Sequence, residues 1–351
     1  VEIALISDLH FGHKKNSDPF LENHIDYIKN EFVPYLKKNN ISTIMILGDL
    51  FDNRSSINVK VKNAVYDLFD QYLHEFKIFM IVGNHDTYFH NSINTHSLKF
   101  FKKFSNITVV DDIDRIYLDN RYILMVPWQT NYDEFAERVA RKNFHCDVCL
   151  GHFDISGFKL NKTRLSEEGL SSDLFFNNYT LTFSGHFHTR SKSMRGTFSI
   201  IYIGSPYHLT RHDTGEERGF CVLDLETLKY KFVNSKNTIK FIKIEYPNTI
   251  NEKIIHNNII DIHVKVDEQY SEEQLQKYIR TIEEYNPLFS PNIVVENSNI
   301  NPLINSDVKN FGSAITMIKE YVDGLDIPNK DKVYFTIEKI YNSAKNSETD
   351  I

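Results

Sequence analysis

A chain of 351 residues, 41% hydrophobic and 25% charged, can bury the core of one large domain with one or two small ones attached. No apolar run approaches the ~18 residues that a membrane span requires, and a formal charge of −7 argues against a chain that grips nucleic acid by global electrostatics. Three cysteines cannot make a disulfide framework; the opening "VEIALISDLH" reads as a strand rather than a secretory signal, so the expected compartment is a reducing cytoplasm.

Along the chain, short apolar runs end repeatedly in polar clusters. They are "IALIS" (3–7), "TIMILGD" (43–49), "FMIVGNHD" (79–86), "DVCLGH" (147–152), "LTFSGH" (181–186) and "SIIYIGS" (199–205). Runs of this length, apolar on both faces, are the pattern of strands covered on both sides. Two helical stripes lie between the early runs. Phe20, Leu21, His24, Ile25, Ile28, Phe32 and Leu36 form the first, and Val61, Ala64, Val65, Leu68, Phe69 and Tyr72 the second. Strand–helix alternation followed by strand-rich sequence predicts an α/β core with two mixed sheets packed face to face. Cys146 and Cys149 form a C-x-x-C without a second pair to complete a zinc site, and are expected to be core residues.

Around residue 239 the texture changes. "NTIKFIKIEYP", "NIIDIHVKV" and "NIVVE" read as half-exposed strands, and "SEEQLQKYIRTIEEY" as a helix with Ser271 at its N-cap. A small α+β domain over 239–300 is the expectation, after a main domain over 1–238. The stretch 301–351 begins as a linker and continues as two helical segments, about 309–325 and 330–345. Their apolar stripes include Ile315, Ile318 and Val322, then Ile337 and Ile340. So short a helical hairpin cannot bury such faces alone, so it is expected to dock on something.

The polar clusters carry the chemistry. The first strand ends with Asp8 and His10, the second with Asp49 and Asp52, the third with Asn84, His85 and Asp86, and two later ones with His152 and with His186 and His188. Ligands of an open α/β sheet bind outside the carboxyl ends of its strands. Each cluster alone could be a turn or a surface histidine; five of them, always at a strand end, point to a metal site. Carboxylate, imidazole and amide oxygen without thiolate suit Mn²⁺, Fe or Zn. Asp8, His10, Asp49, Asn84, His152, His186 and His188 are too many donors for one ion with an open position. They suit two ions about 3.5–4 Å apart that share a carboxylate, the arrangement that clamps a phosphoryl group. His85 and Asp52 are left for catalysis, as a histidine oriented by a carboxylate that can protonate a leaving oxygen.

The order D-x-H, GD-x-x-D, GNHD, GH, GH-x-H resembles that of the calcineurin-like metallophosphoesterases, over roughly residues 1–235. "VPWQT" (126–130), "GHFDISGF" (151–158), "SGHFH" (184–188), "YIGSPYHLT" (202–210) and "ERGFCVLD" (217–224) are similar to the SbcD-type nuclease subunits of double-strand-break repair complexes, their T-even phage branch above all. The resemblance implies a four-layer α-β-β-α core, a DNA-capping domain after 239 and a terminal docking element for an SbcC-type coiled-coil ATPase. It implies a homodimeric, Mn²⁺-dependent DNA exonuclease or endonuclease, with Mg²⁺, Fe or Zn as other possible ions, acting on duplex ends and single strands in recombination and repair. Asp8, His10 and His188 would hold one ion, Asn84, His152 and His186 the other, with Asp49 between them and His85 as the catalytic histidine. Some members carry His where this chain has Asp52, which the resemblance assigns to orienting His85.

Lys14, Lys15, Arg54, Arg190, Lys192 and Arg195 follow the motifs closely. They read either as a solvated face or as a local surface for a DNA backbone. Two other functions fit parts of the pattern. A phosphomonoesterase or small-substrate phosphodiesterase of the same superfamily would not need the tail beyond 239, and a non-catalytic scaffold would be expected to have lost ligands, of which none is missing.

Overall fold

Each central strand divides its side chains between two cores, because successive residues of a strand point to opposite faces. In the computed structural model, which describes residues 1–142, 146–159, 164–265, 271–296 and Lys330, two six-stranded mixed sheets stand face to face. The first has the order Tyr230–Asn234, Gly219–Asp224, Glu2–Ile6, Thr43–Ile46, Lys77–Ile81, Ile107–Val110. Its last four strands are parallel. The second has the order Ser191–Arg195, Phe198–Tyr202, Leu181–Gly185, Val148–His152, Arg121–Val126, Asp114–Leu118, parallel through its middle four.

Between the sheets, Ile3, Leu5, Met45, Leu47, Phe79 and Ile81 meet Ile123, Met125, Val148, Leu150, Phe183 and Ile201. The alternate residues Ala4, Ile6, Ile44, Ile46, Ile78 and Met80 face outward onto helices Asp18–Tyr27 and Val59–Tyr72, which bury Leu21, Tyr27, Val61, Val65, Leu68 and Phe69 against them. Asn58 caps the second helix by accepting the Lys60 N–H. On the far side Leu124, Val126, Cys149, Ile200 and Tyr202 pack on Phe135, Val139, Phe175 and Phe176, from helices Tyr132–Lys142 and Ser172–Phe176. The result is α-β-β-α in four layers. Each such Leu, Ile or Phe contributes about 1.5–3 kcal/mol on burial, so three apolar interfaces fix the positions of the strand ends.

A three-stranded sheet, Phe241–Glu245, Ile259–Lys265 and Asn292–Glu296, follows with helix Glu272–Glu284, whose Gln274 N–H is accepted by the Ser271 hydroxyl. Phe20, Ile239, Phe241 and Ile259 share one apolar cluster. The Arg211 Nε donates to both carboxylate oxygens of Asp261 at 2.9 Å. Ile315, Ile318, Val322, Ile337 and Ile340 lie outside the described residues, as does the expected helical hairpin apart from Lys330. Among the described residues no helix is long and apolar enough to cross a membrane.

Candidate metal centre

Strands Glu2–Ile6, Thr43–Ile46 and Lys77–Ile81 of one sheet, and Val148–His152 and Leu181–Gly185 of the other, end at one rim. Main-chain bonds tie the loops there: the Asp8 N–H donates to Gly48 O at 3.1 Å, and the His10 N–H to Asp49 O at 3.1 Å. The His186 N–H reaches across the sheets to Asp8 at 3.1 Å. Asp8, His10, Asp49 and His186 have φ of 55, 43, 52 and 86°, the left-handed region that L side chains seldom enter. Glycines make the close approach possible. A Cβ on Gly48, at φ +93°, would stand 2.3 Å from the His152 ring, and one on Gly185 would stand 1.9 Å from Ser7 Oγ.

The seven expected donors converge in two groups. Asp8, His10 and His188 offer ligand atoms within 4.8 Å of one another, and so do Asp49, His152 and His186. Nε2 of His10 lies 3.0 Å from Nε2 of His188. Asn84 Oδ1 lies 2.8 Å from Nε2 of His152 and 2.9 Å from Nδ1 of His186. Asp49 stands between the groups, its Oδ2 3.3 Å from His152 Nε2 and 3.8 Å from His10 Nε2.

This donor set fits divalent ions. Atoms bound at about 2.1 Å to a common ion stand about 3 Å apart when adjacent, the spacing of His10 to His188 and of Asn84 to His152 and His186. His152 Nδ1 donates to Leu47 O at 2.7 Å, which aims the other ring nitrogen at Asn84 and Asp49, both oxygen acceptors. A neutral ring there would face lone pairs with a lone pair; the geometry calls for positive charge. Burial opposes charging His152, yet the Asp49 carboxylate outweighs it and pushes His152 up to about 9. Burial and then the nearby His152 push His186 down to about 3, leaving its ring free as a ligand.

His85 sits at the edge of the cluster, its ring centroid 4.9 Å from that of His10. Its main-chain N–H donates to Asp49 Oδ1 at 2.8 Å. The expected pairing with the Asp52 carboxylate is corrected: His85 Nδ1 donates to the main-chain oxygen of Asp52 at 2.7 Å. The Asp52 carboxylate turns the other way, 3.2 Å from His10 Nδ1 and 3.1 Å from His13 Nδ1. Asp52 thus orients His85 through its backbone, and its side chain backs His10, one of the candidate donors, as carboxylates commonly back metal-ligating histidines.

Three residues had no role in the sequence reading. Asp86, fully buried, accepts the N–H groups of Gly83 at 2.9 Å, Asp49 at 3.0 Å, Leu50 at 3.1 Å and Phe51 at 3.3 Å. It locks the GD and GNHD loops together, and its place at the end of "GNHD" was the available signal. His13 spans from Asp52 to Leu209 O at 2.8 Å. Trp128, from "VPWQT", covers His186 with ring centroids 5.0 Å apart.

The basic residues do not gather as expected. Arg195 pairs with Phe198 in the antiparallel register, at the rim opposite the metal centre, and binds Asp173 at 2.6 Å. Arg190 is half-buried, stacked 4.4 Å from the Phe232 ring and bonded to Asn234. Lys192 stands over Tyr230 at 5.3 Å. Lys14 and Lys15 are exposed in the turn after His13, and Arg54 follows Asp52.

Two packed mixed sheets with an Asp/His/Asn donor rim define a metallophosphoesterase. Residues 1–190 match the calcineurin-like phosphoesterase family, and the chain belongs to it: an enzyme of a hydrolytic class that works with divalent metals. Over 338 residues it is 30% identical to "Exonuclease subunit 1" of Enterobacteria phage T4, covering 95% of each chain. It is 25% identical over 294 residues to the SbcD component of the SbcCD nuclease of Staphylococcus epidermidis, covering 72% of this chain and 75% of that one.

Proposed function

We propose that the chain is a Mn²⁺-dependent DNA nuclease that hydrolyses phosphodiester bonds with two ions, the nuclease subunit of an SbcC–SbcD-type complex in DNA end processing and repair. The observation that carries this reading is Asp49 lying between two donor groups. Both relatives are nucleases by name, and the 95% span shared with the phage exonuclease supports the same substrate class here. Asp8, His10 and His188 would hold one ion, and Asn84, His152 and His186 the other, with Asp49 on both. Bound there, such a pair supplies Lewis acidity and a water of lowered pKa.

The protein's own groups do the rest. His85 keeps its Nδ1 proton on Asp52 O, so Nε2 is the atom that exchanges a proton with the leaving oxygen. Burial lowers its pKa, and the negative charge of a bound phosphodiester would favour its protonated form. Trp128 covers the His186 side. A coiled-coil ATPase partner, a homodimer, a capping role for 239–300 and a cytoplasmic location (the host's, if phage-encoded) belong to the same reading.

Purified full-length chain assayed on linear duplex and circular single-stranded DNA tests it. Cleavage with Mn²⁺ that EDTA abolishes is expected. Hydrolysis of small phosphate esters with no cleavage of either DNA would overturn the assignment.

A further inference from the structure

The loops that carry Asp52 and His85 continue into the walls of a cleft of about 330 Å³. One wall is the turn from Arg54 to Ile57, with Lys62 from the helix Val59–Tyr72. The other is the hairpin Thr87–Phe89 with Ser92–His96, which brings Tyr88 and His96, followed by Phe100. Two residues of chain reach at most about 7 Å and three about 11 Å, so Arg54 and Tyr88 keep the cleft close to Asp52 and His85.

Its lining has the chemistry of a nucleotide site. The Arg54 Nη1 lies 2.6 Å from Nδ1 of His90, which adds no negative charge, and the Lys62 ammonium stands 5.5 Å over the Phe100 ring. Among the described residues neither cation has a carboxylate partner, and no carboxylate lines the cleft. In a chain of net charge −7, two uncompensated cations at one cleft select an anion. Tyr88 is 51% exposed and offers a ring face. Four serine and threonine residues add hydroxyls. His96 has a buried side chain whose Nε2 lies 3.2 Å from Asp111 Oδ2 and whose Nδ1 has no hydrogen-bond partner among the described residues. The volume is at the small end for ligand pockets, so it suits one nucleotide and excludes a duplex.

We propose that this cleft receives one unstacked nucleotide of a DNA strand beside the phosphodiester being cut, its phosphate on Arg54 and Lys62 and its base against Tyr88 and Phe100. The proposal rests on the DNA-nuclease reading and narrows its substrate to a single strand or a frayed end. Stacking accepts any base, so the cleft imposes no sequence preference.

The test uses the full-length protein with Mn²⁺ and a fluorescent single-stranded oligonucleotide whose phosphorothioate linkages resist cleavage and whose end base is 5-iodouracil. Wild type should crosslink through Tyr88 or Phe100 on irradiation, mapped by mass spectrometry. Lys62→Ala should weaken binding and lower the slope of log K against log salt by about 0.7–1. Tyr88→Ala should weaken binding about 5- to 150-fold with the slope unchanged, as expected for loss of one stacked base. Crosslinks mapping elsewhere, with both variants binding like wild type, would overturn the cleft while leaving the nuclease reading intact. So would a change of oligomeric state in either variant by sedimentation, which would give the cleft to a second copy of the chain. A wild type that binds no oligonucleotide would bring down the DNA reading itself, and the cleft with it.

Discussion

The metal rim and the cleft beside it are built on the same two loops and by opposite means. At the rim, Asp8, His10, Asp49 and His152 are buried, four of the seven donors hold left-handed backbone, and Asp86 gathers four N–H groups beneath them. In the cleft, Tyr88 and the neighbouring Phe89 are about half exposed, and Arg54 is tied to one histidine. Strained backbone of this kind costs of order 1–3 kcal/mol per residue and persists only where the surroundings over-determine it. A rim built this way is held in place, as the proposed metal site would require. A surface that admits a nucleotide can be left to adjust.

The largest way to break this contrast is at the shared carboxylate. Asp49→Ala should lose bound metal, read by elemental analysis of the dialysed protein, and lower DNA cleavage by more than about 100-fold, since even an outer partner of a metal ligand is worth about 10–100-fold. His85→Ala should separate chemistry from metal binding. Cleavage should fall about 10²- to 10⁴-fold with metal content near wild type; a parallel loss of metal would make His85 a ligand instead.

Asp86→Ala tests the rigid side without touching a donor. Several of its four buried N–H groups would lose their acceptor, at about 1–3 kcal/mol each. Thermal unfolding should therefore fall by about 10 °C, and metal affinity should fall with it. A melting temperature within about 2 °C of wild type would mean that the loops hold without their central carboxylate. The smallest effect belongs to the soft side: Phe89→Ser, on the exposed hairpin, should change stability by no more than about 0.5 kcal/mol, read in the same melts.

The difference between the two regions also governs what the sequence could reveal. Strand ends are legible because apolar runs of fixed period stop where polar clusters begin, so the placing of the residues from Asp8 to His188 at strand ends and the two packed mixed sheets were readable from residue types and order, and the four-layer arrangement from the family resemblance. Side-chain direction was not. The motif places Asp52 next to His85, but only the folded loop turns the Asp52 carboxylate toward His10 and His13 and leaves its main-chain oxygen for His85. Arg195 looked near the centre because it follows His188 closely. The antiparallel strand Ser191–Arg195 carries it to the opposite rim, a reversal that residue spacing does not show. Asp86 was visible as the last letter of a motif, but its work is done with main-chain N–H groups, which every residue except proline carries and no pattern of side chains marks. The cleft draws its lining from five segments between Arg54 and Phe100 that meet only after folding.

In the proposed mechanism seven side chains hold two ions with Asp49 shared between them. Anomalous diffraction from crystals of the full-length protein soaked in Mn²⁺ measures this directly. Two peaks about 3.5–4 Å apart are expected, one among Asp8, His10 and His188, the other among Asn84, His152 and His186, with Asp49 reaching both. A single peak at saturating Mn²⁺, or two peaks neither of which contacts Asp49, would contradict it.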